Sequence, residues 1–348
     1  MMNILVTGSG GLIGSEASFH WLKMKAQVHG IDNNSRKVFF GPSGDISPVI
    51  ESLLQYPNYV HHNIDIRNRD AVLKLISDIR PDVIIHCAAQ PSHDKAASIP
   101  FDDFDTNAVG TFNLLEASRR LNNTDMIFIH MSTNKVYGDG PNFLDLIETE
   151  NRYDFEDGKY WEGISESFSI DNCTHSLFGA SKVAADIVAQ EYGRYFDMNV
   201  AVFRGGCLTG PQHAGVELHG FLSYIIDCAM TGREYTIFGY GGKQVRDQIH
   251  SQDVVMAFEN FINTPRKCEI YNIGGGKKNS ASILEVIDMI YNYTGKQLNY
   301  TISDVSRVGD HICYYSNMSK FQEHYSDWHI KWDLNSVIKQ MTEKYNYS

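Results

Sequence analysis

At 348 residues the chain exceeds the usual single domain, which implies two domains or one enlarged α/β unit with an ample core. Its 30 Lys and Arg against 42 Asp and Glu leave a net charge of -12, and no basic stripe interrupts the run, which argues against nucleic-acid binding. Six scattered cysteines (Cys87, Cys173, Cys207, Cys228, Cys268 and Cys313) form no CxxC pair, so free thiols are expected in place of zinc ligands or disulfides. Met1 runs straight into an apolar strand with no room for a charged leader, and no apolar run reaches membrane length, so a cytoplasmic location is expected.

Residues 4–7 form a short β-like run that leads into Gly8-Ser9-Gly10-Gly11-Leu12-Ile13-Gly14, followed by helix-compatible residues through Lys25. A glycine turn between strand and helix lets backbone N–H groups and a helix N-terminus meet a pyrophosphate, which makes Gly8, Gly11, Leu12, Ile13 and Gly14 candidate cofactor contacts. Residues 27–31 read as a second strand ending in Asp32, an acid at about the distance, roughly 20 residues, at which one grips the adenosine ribose. An acid there repels a 2′-phosphate, so NAD is expected over NADP; Asn33 belongs to the same turn, and Arg36 would soften the preference. A plain strand–helix connection is the bland alternative for the glycines.

Further units keep the rhythm. Residues 59–66 read as a strand closing on Asp65 and Ile66, 72–79 as a helix, 82–87 as a buried parallel strand, 101–121 as one long helix and 126–131 as another strand. Repeated β–α alternation predicts a doubly wound α/β sheet of Rossmann type. Ligands lie beyond the strand C-termini in such sheets, which places Ala88, Ala89, Gln90 and residues 132–134 at the site.

Residues 175–186 read HSLFGASKVAAD, so Phe178 and Lys182 project from one face of a helix. With TGxxGxxG at Thr7, Gly8, Gly11 and Gly14, the whole chain resembles the extended short-chain dehydrogenase/reductases that modify nucleotide sugars. The resemblance implies bound NAD, with Lys182 holding the nicotinamide ribose. It also implies that Phe178 stands where a tyrosine hydroxyl would exchange the substrate proton, and a phenyl ring can neither donate nor accept one. Residues 131–138 (MSTNKVYG) are similar to the catalytic stretch of that family, which assigns Thr133 to the reacting sugar hydroxyl and puts Asn134 beside the substrate. In the 4,6-dehydratases an Asp and a Glu follow that threonine; Asn134 and Lys135 cannot act as such a carboxylate pair. The wording STNKVYGD, with His175-Ser176, Ser181-Lys182 and GKQVRD at 242–247, most resembles the CDP-paratose (CDP-tyvelose) 2-epimerases, which use bound NAD to oxidise the sugar and reduce it from the other face.

Residues 200–210 (VAVFRGGCLTG) resemble the strand and loop beside the nicotinamide, and Arg204 is counted there as a substrate contact. Arg246 in QVRD and Arg307 in RVGD match arginines that pair with the nucleotide pyrophosphate, a task suited to a planar two-donor fork. Asp253 reads as the cap of a helix running to Phe261, and the polar-aromatic stretch 142–174 as a lid or interface wall. His61-His62 and His213 to His219 lack further ligands at convincing spacing, so no metal is expected. For the missing hydroxyl, the loop Gln90-Pro91-Ser92-His93-Asp94-Lys95 offers His93, whose unperturbed pKa of about 6.5 suits proton exchange. Lys182, with a pKa depressed beside an apolar ring, is the second candidate, and a histidine that only hydrogen-bonds substrate is the alternative.

The expected division is a dinucleotide domain over 1–204, rejoined by 246–273, and a nucleotide-sugar domain over 205–245 and 274–348. The expected activity is NAD-dependent epimerisation of a nucleotide-activated sugar through a transient ketone. A dehydratase or oxidoreductase of the same family, and a catalytically silent NAD and nucleotide-sugar binder, are the alternatives. The resemblance also implies a homodimer built on the helix that carries Lys182.

Overall fold

Seven short runs, most of them continuously apolar, pair into one parallel sheet: β1 (Asn3–Thr7), β2 (Gln27–Ile31), β3 (Tyr59–His62), β4 (Val83–His86), β5 (Ile127–Thr133), β6 (Asn199–Gly205) and β7 (Glu269–Ile273). All of β4 and β6 is buried, as expected of strands covered on both faces. The strand order is β3-β2-β1-β4-β5-β6-β7, so the chain reverses direction across the sheet between β1 and β4. Ligands bind at such switch points because the helices leave on opposite faces there. The register sets Thr7 beside both Ile31 and His86, and His86 beside His130. This is the computed structural model of the chain, and it describes residues 1–211, 220–306, 309–343 and 345.

The helices follow from pattern and caps. α1 (Leu12–Lys23) leaves the glycine turn, and α2 (Arg69–Ile79) is started by Asn68, whose side chain accepts from the Ala71 N–H, and ended by Arg80 in the left-handed region. α3 (Gly110–Arg120) and α4 (Ser176–Phe196) are the long helices of the same unit, and α5 (Ser251–Asn263) precedes β7. One side of the sheet closes over Leu5, Ile31, Ile84, Leu114, Phe128 and Val200.

Two expected elements change. The single helix over 101–121 is a helix Pro100–Phe104, a π-turn Asp105–Val109 and then α3. The wide turn accommodates Asn107, whose side chain bonds Gln90 and Ser181 instead of facing solvent. The strand expected to reach residue 66 stops at His62, because the Ile64 N–H turns back to the His62 carbonyl.

The chain divides into one unit of residues 1–136, 177–204 and 254–271 and another of 137–176, 205–253 and 272–348. This differs from the division read from the sequence in two places. Residues 137–176 belong to the second unit, where Leu146–Glu148 pairs antiparallel with Tyr153–Phe155, Arg152 bonds Ser280 and Glu285, and the Tyr315 hydroxyl donates to Asp154. The stretch expected as a lid or interface wall is thus tied into its own unit, with Trp161 under the Lys277 ammonium at 5.4 Å. The returning segment starts at 254 and not at 246, because Val245–His250 pairs with Ser280–Ser282, Cys313–Tyr314 and Cys207–Thr209. Leu222, Ile226, Ile237, Val286 and Val337 form the second unit's own core.

Asp253 does not cap its helix. Its carboxylate accepts from the Lys331 and Trp332 N–H groups, each at 3.1 Å, and so fastens that later segment. Among the described residues no helix is long and apolar enough to cross a membrane, and no group of three or more His, Cys, Asp and Glu side chains could hold a metal ion.

Candidate active site

β1 ends where Gly8 takes φ +67°, and a Cβ there would lie 2.8 Å from the Ala88 nitrogen. A Cβ on Gly14 would lie 2.1 Å from the Gly8 carbonyl oxygen, so α1 can start this close to the turn only with glycine at that position. Gly11 is the extended residue before α1, leaving the N–H groups of Leu12 and Ile13 at a helix N-terminus, where partial positive charge collects. This backbone cradle fits the pyrophosphate of a dinucleotide.

Asp32 closes the cradle at the ribose end. Its two oxygens accept from Gly10 N at 3.0 Å and Asn34 N at 2.9 Å. Beside it lies a cavity of ≈ 200 Å³ whose polar wall includes Asp32, Asn33, Asn34, Glu51, His61 and Asn63. Two carboxylates and no lysine or arginine line it, and the Arg36 guanidinium instead sits 5.1 Å over the Phe40 ring. Such a wall suits a free ribose hydroxyl and repels a phosphate. The Asn33 side chain is occupied by Ser35. Asp65 is held by Arg67 through Nε at 3.0 Å and Nη2 at 2.7 Å, while Ile66 packs against Gly110. The Ala88 N–H donates to Thr7 Oγ1 at 3.1 Å, which brings Ala88 and Ala89 to the same end of the sheet.

The other end of the candidate site is built from side chains. Phe178 and Lys182 lie one turn apart on α4, 7% and 4% exposed. Lys182 Nζ donates to the Met131 carbonyl at 2.9 Å. Burial brings its pKa down to about 8, against the opposing pull of Asp186, Cys87 and Asp103. Nearby, His86 bonds Thr7 Oγ1 at 2.7 Å and Thr111 Oγ1 at 2.8 Å, and burial followed by the Lys182 charge pushes it down to about 3, so it stays neutral.

The imidazole of His93 meets the Phe178 ring edge-on, with centroids 6.3 Å apart and planes at 62°. His93 Nε2 is buried and has no hydrogen-bond partner, and its Nδ1 is 3.8 Å from Asp94. Thr133 closes β5; its Oγ1 lies 3.4 Å from Asn134 Oδ1 and accepts from Lys135 N at 3.2 Å. All of the cofactor and acid–base residues named so far belong to the first unit.

Three arginines are expected at the substrate. Arg204 is no substrate contact: it is 3% exposed and clasps Asp186 through Nε at 3.0 Å and Nη2 at 2.9 Å, while Ser132 donates to the same carboxylate. A buried guanidinium with such a partner is held by the core. Arg246 lies in the second unit, buried, 2.7 Å from Asp310 and bonded to the carbonyls of Val245 and His311. Arg307 lies outside the described residues. The sequence gives no sign of Asp103 and Asn107, which form a buried cluster with Ser181 and Gln90; nothing in their spacing separates them from an ordinary helix face. Gln90, expected at the cofactor, directs its amide at Ser92 and Asp103 instead.

Residues 4–274 match the model of the NAD dependent epimerase/dehydratase family. The chain is similar to the CDP-paratose 2-epimerase of Salmonella typhi, 32% identical over 347 residues with 98% of each chain covered. It is also similar to dTDP-glucose 4,6-dehydratase 1 of Escherichia coli K12, at 27% identity over 86% of this chain and 80% of that one. Among solved structures, UDP-glucuronic acid 4-epimerase from Bacillus cereus, in complex with UDP-glucuronic acid and NAD, matches at 25% identity with a TM-score of 0.79 and 99% of each chain covered. A tyrosine-to-phenylalanine mutant of that epimerase, in complex with UDP-4-deoxy-4-fluoro-glucuronic acid and NAD, matches at 26% identity with a TM-score of 0.79, again over 99% of each chain.

Proposed function

The chain belongs to the NAD dependent epimerase/dehydratase family, and from that premise we propose that it epimerises a nucleotide-activated sugar with His93 as the proton-exchanging group. The observation that carries the reading is the buried, unpartnered Nε2 of His93 set against Phe178, one helical turn from Lys182. A buried nitrogen left without a partner is unfavourable by about 1–3 kcal/mol, so its retention points to a partner that arrives with substrate.

When bound, NAD supplies the redox half of the cycle, oxidising a carbinol carbon to a ketone and reducing it again. The glycine turn would hold its pyrophosphate, Asp32 its adenosine ribose and Lys182 its nicotinamide ribose. His93 Nε2 takes the proton of the sugar hydroxyl as the ketone forms and gives it back when the carbinol is restored. Thr133 polarises the same oxygen, with its own oxygen steadied by the Lys135 N–H. Phe178 walls the imidazole from water. Asn134 and Lys135 offer no carboxylate pair for removing water, which favours epimerisation over dehydration.

Similarity along the full length to a CDP-paratose 2-epimerase makes CDP-linked sugars the first substrates to test, with Arg246 and Arg307 as pyrophosphate contacts. The Bacillus cereus mutant, with phenylalanine for a tyrosine, forms a complex with both a nucleotide sugar and NAD, which supports binding without a tyrosine hydroxyl. The exposed Phe101, Phe104, Phe112, Ile187 and Tyr195 on the helix Pro100–Phe104, α3 and α4 support a homodimer. Light scattering of the purified protein measures it directly.

Incubation with CDP-, dTDP- and UDP-sugars, read by NMR for epimers and by absorbance for NADH, tests the reaction. Interconverting epimers with no net NADH are expected; loss of water or accumulating NADH would overturn the reading. His93→Gln is expected to lower turnover by about 10²–10⁴-fold with NAD affinity unchanged. Wild-type turnover in that variant would move the proton to another group.

A further inference from the structure

Asp103 is a carboxylate buried to 1% exposure with no arginine or lysine in hydrogen-bond contact. Its Oδ1 accepts from Gln90 Nε2 at 2.8 Å and Asn107 Nδ2 at 3.2 Å, and its Oδ2 accepts from Ser181 Oγ at 2.6 Å. Gln90 carries that anchorage forward: its Oε1 accepts from Ser92 N at 2.6 Å and its Nε2 donates to the Ser92 carbonyl at 2.9 Å. Ser92 in turn caps the short helix His93–Ala96 by accepting from Lys95 N. On the other side Ser181 sits on α4 directly before Lys182, its Oγ also 3.0 Å from the Phe178 carbonyl oxygen. One carboxylate therefore joins the turn that presents His93 to the helix that presents Phe178 and Lys182.

We propose that Asp103 is a positioning residue that holds His93 against Phe178 and supplies the negative charge facing the imidazole when it becomes positive. The proposal rests on the reading of His93 as the proton-exchanging group. Three neutral donors satisfy the carboxylate without neutralising it, which leaves its charge available to a neighbour. Burial pushes the Asp103 pKa up, while the Ser181 and Gln90 hydrogen bonds and then the charges of Lys182 and His93 pull it back. Asp94 and Lys95 lie on the same turn as His93, with Asp94 Oδ1 3.8 Å from His93 Nδ1.

The test is the titration of the His93 ring, followed by NMR of histidine-labelled protein and assigned with His93→Gln, in wild type and Asp103→Asn. Removing a nearby negative charge disfavours imidazolium, so the His93 pKa is expected to fall by about one unit in Asp103→Asn, and the acid limb of the turnover profile with it. If Asp103→Asn does not fold, Asp103→Ser removes the same charge with a smaller hydrogen-bonding side chain and is expected to move the His93 titration in the same direction. An unchanged His93 titration in either folded variant overturns the proposal. The function assigned to His93 fails separately: the titration would still shift, but His93→Gln would turn over normally.

Discussion

The glycine turn and the His93 loop lie at the same end of one sheet and are built on opposite plans. At the turn the functional surface is backbone, and the side chains matter mainly by being absent: a single Cβ on Gly14 would strike the Gly8 carbonyl. At the loop the surface is side chains drawn from residues 90–96, 100–107 and 178–186, held by a buried carboxylate. A backbone site depends on local conformation, whereas a side-chain site depends on segments brought together by packing.

The largest effect is expected where the side-chain plan is deepest. Arg204→Met strands the buried Asp186 carboxylate and should destabilise the fold by about 3–5 kcal/mol in chemical denaturation. A variant of wild-type stability but raised KM would restore Arg204 to the substrate. Gly14→Ala breaks the other plan, with an expected loss of about 3 kcal/mol shared between stability and NAD affinity. Calorimetric titration with NAD measures the second share, and unaltered binding would show that the turn is not the cradle.

Lys182 sharpens the contrast through pH. Burial lowers its pKa from 10.5 to about 8, so between those values the unfolded chain binds the extra proton. Below about pH 8 the folded state carries the full penalty for a buried ammonium, and stability recovers as pH rises from about 8 to 10.5, by roughly 3 kcal/mol in all. Lys182→Met should flatten that slope in denaturation series while abolishing turnover; an unchanged slope would place the charge elsewhere. Smallest is Asp32→Asn, expected to narrow the preference for NAD over NADP by about 1 kcal/mol, since Glu51 still lines the adjoining cavity. Affinities for both cofactors, measured side by side, decide it.

Much of the site was legible because its signals are local. The glycines, Asp32 and the Phe178–Lys182 spacing need only a strand, a turn and a helix to take their places, and His93 stood out by chemistry in a loop at the end of β4. Arg204 misled because a motif position says nothing of the partner that arrives from α4, and Asp186 claims its guanidinium. Asp103 and Asn107 gave no signal, since polar residues on a helix read as a solvent face until a π-turn and a neighbouring helix enclose them.

The sequence by itself determined the parallel doubly wound sheet, the family and the dinucleotide cradle, because hydrophobic period and glycine spacing act over a few residues. Only the tertiary structure decided which unit holds residues 137–176, which arginine is locked in the core and what stands beside Phe178. Those outcomes depend on burial and on hydrogen bonds between distant segments: the His93 nitrogen is without a partner, and Asp103 has three, because of how the chain packs around them.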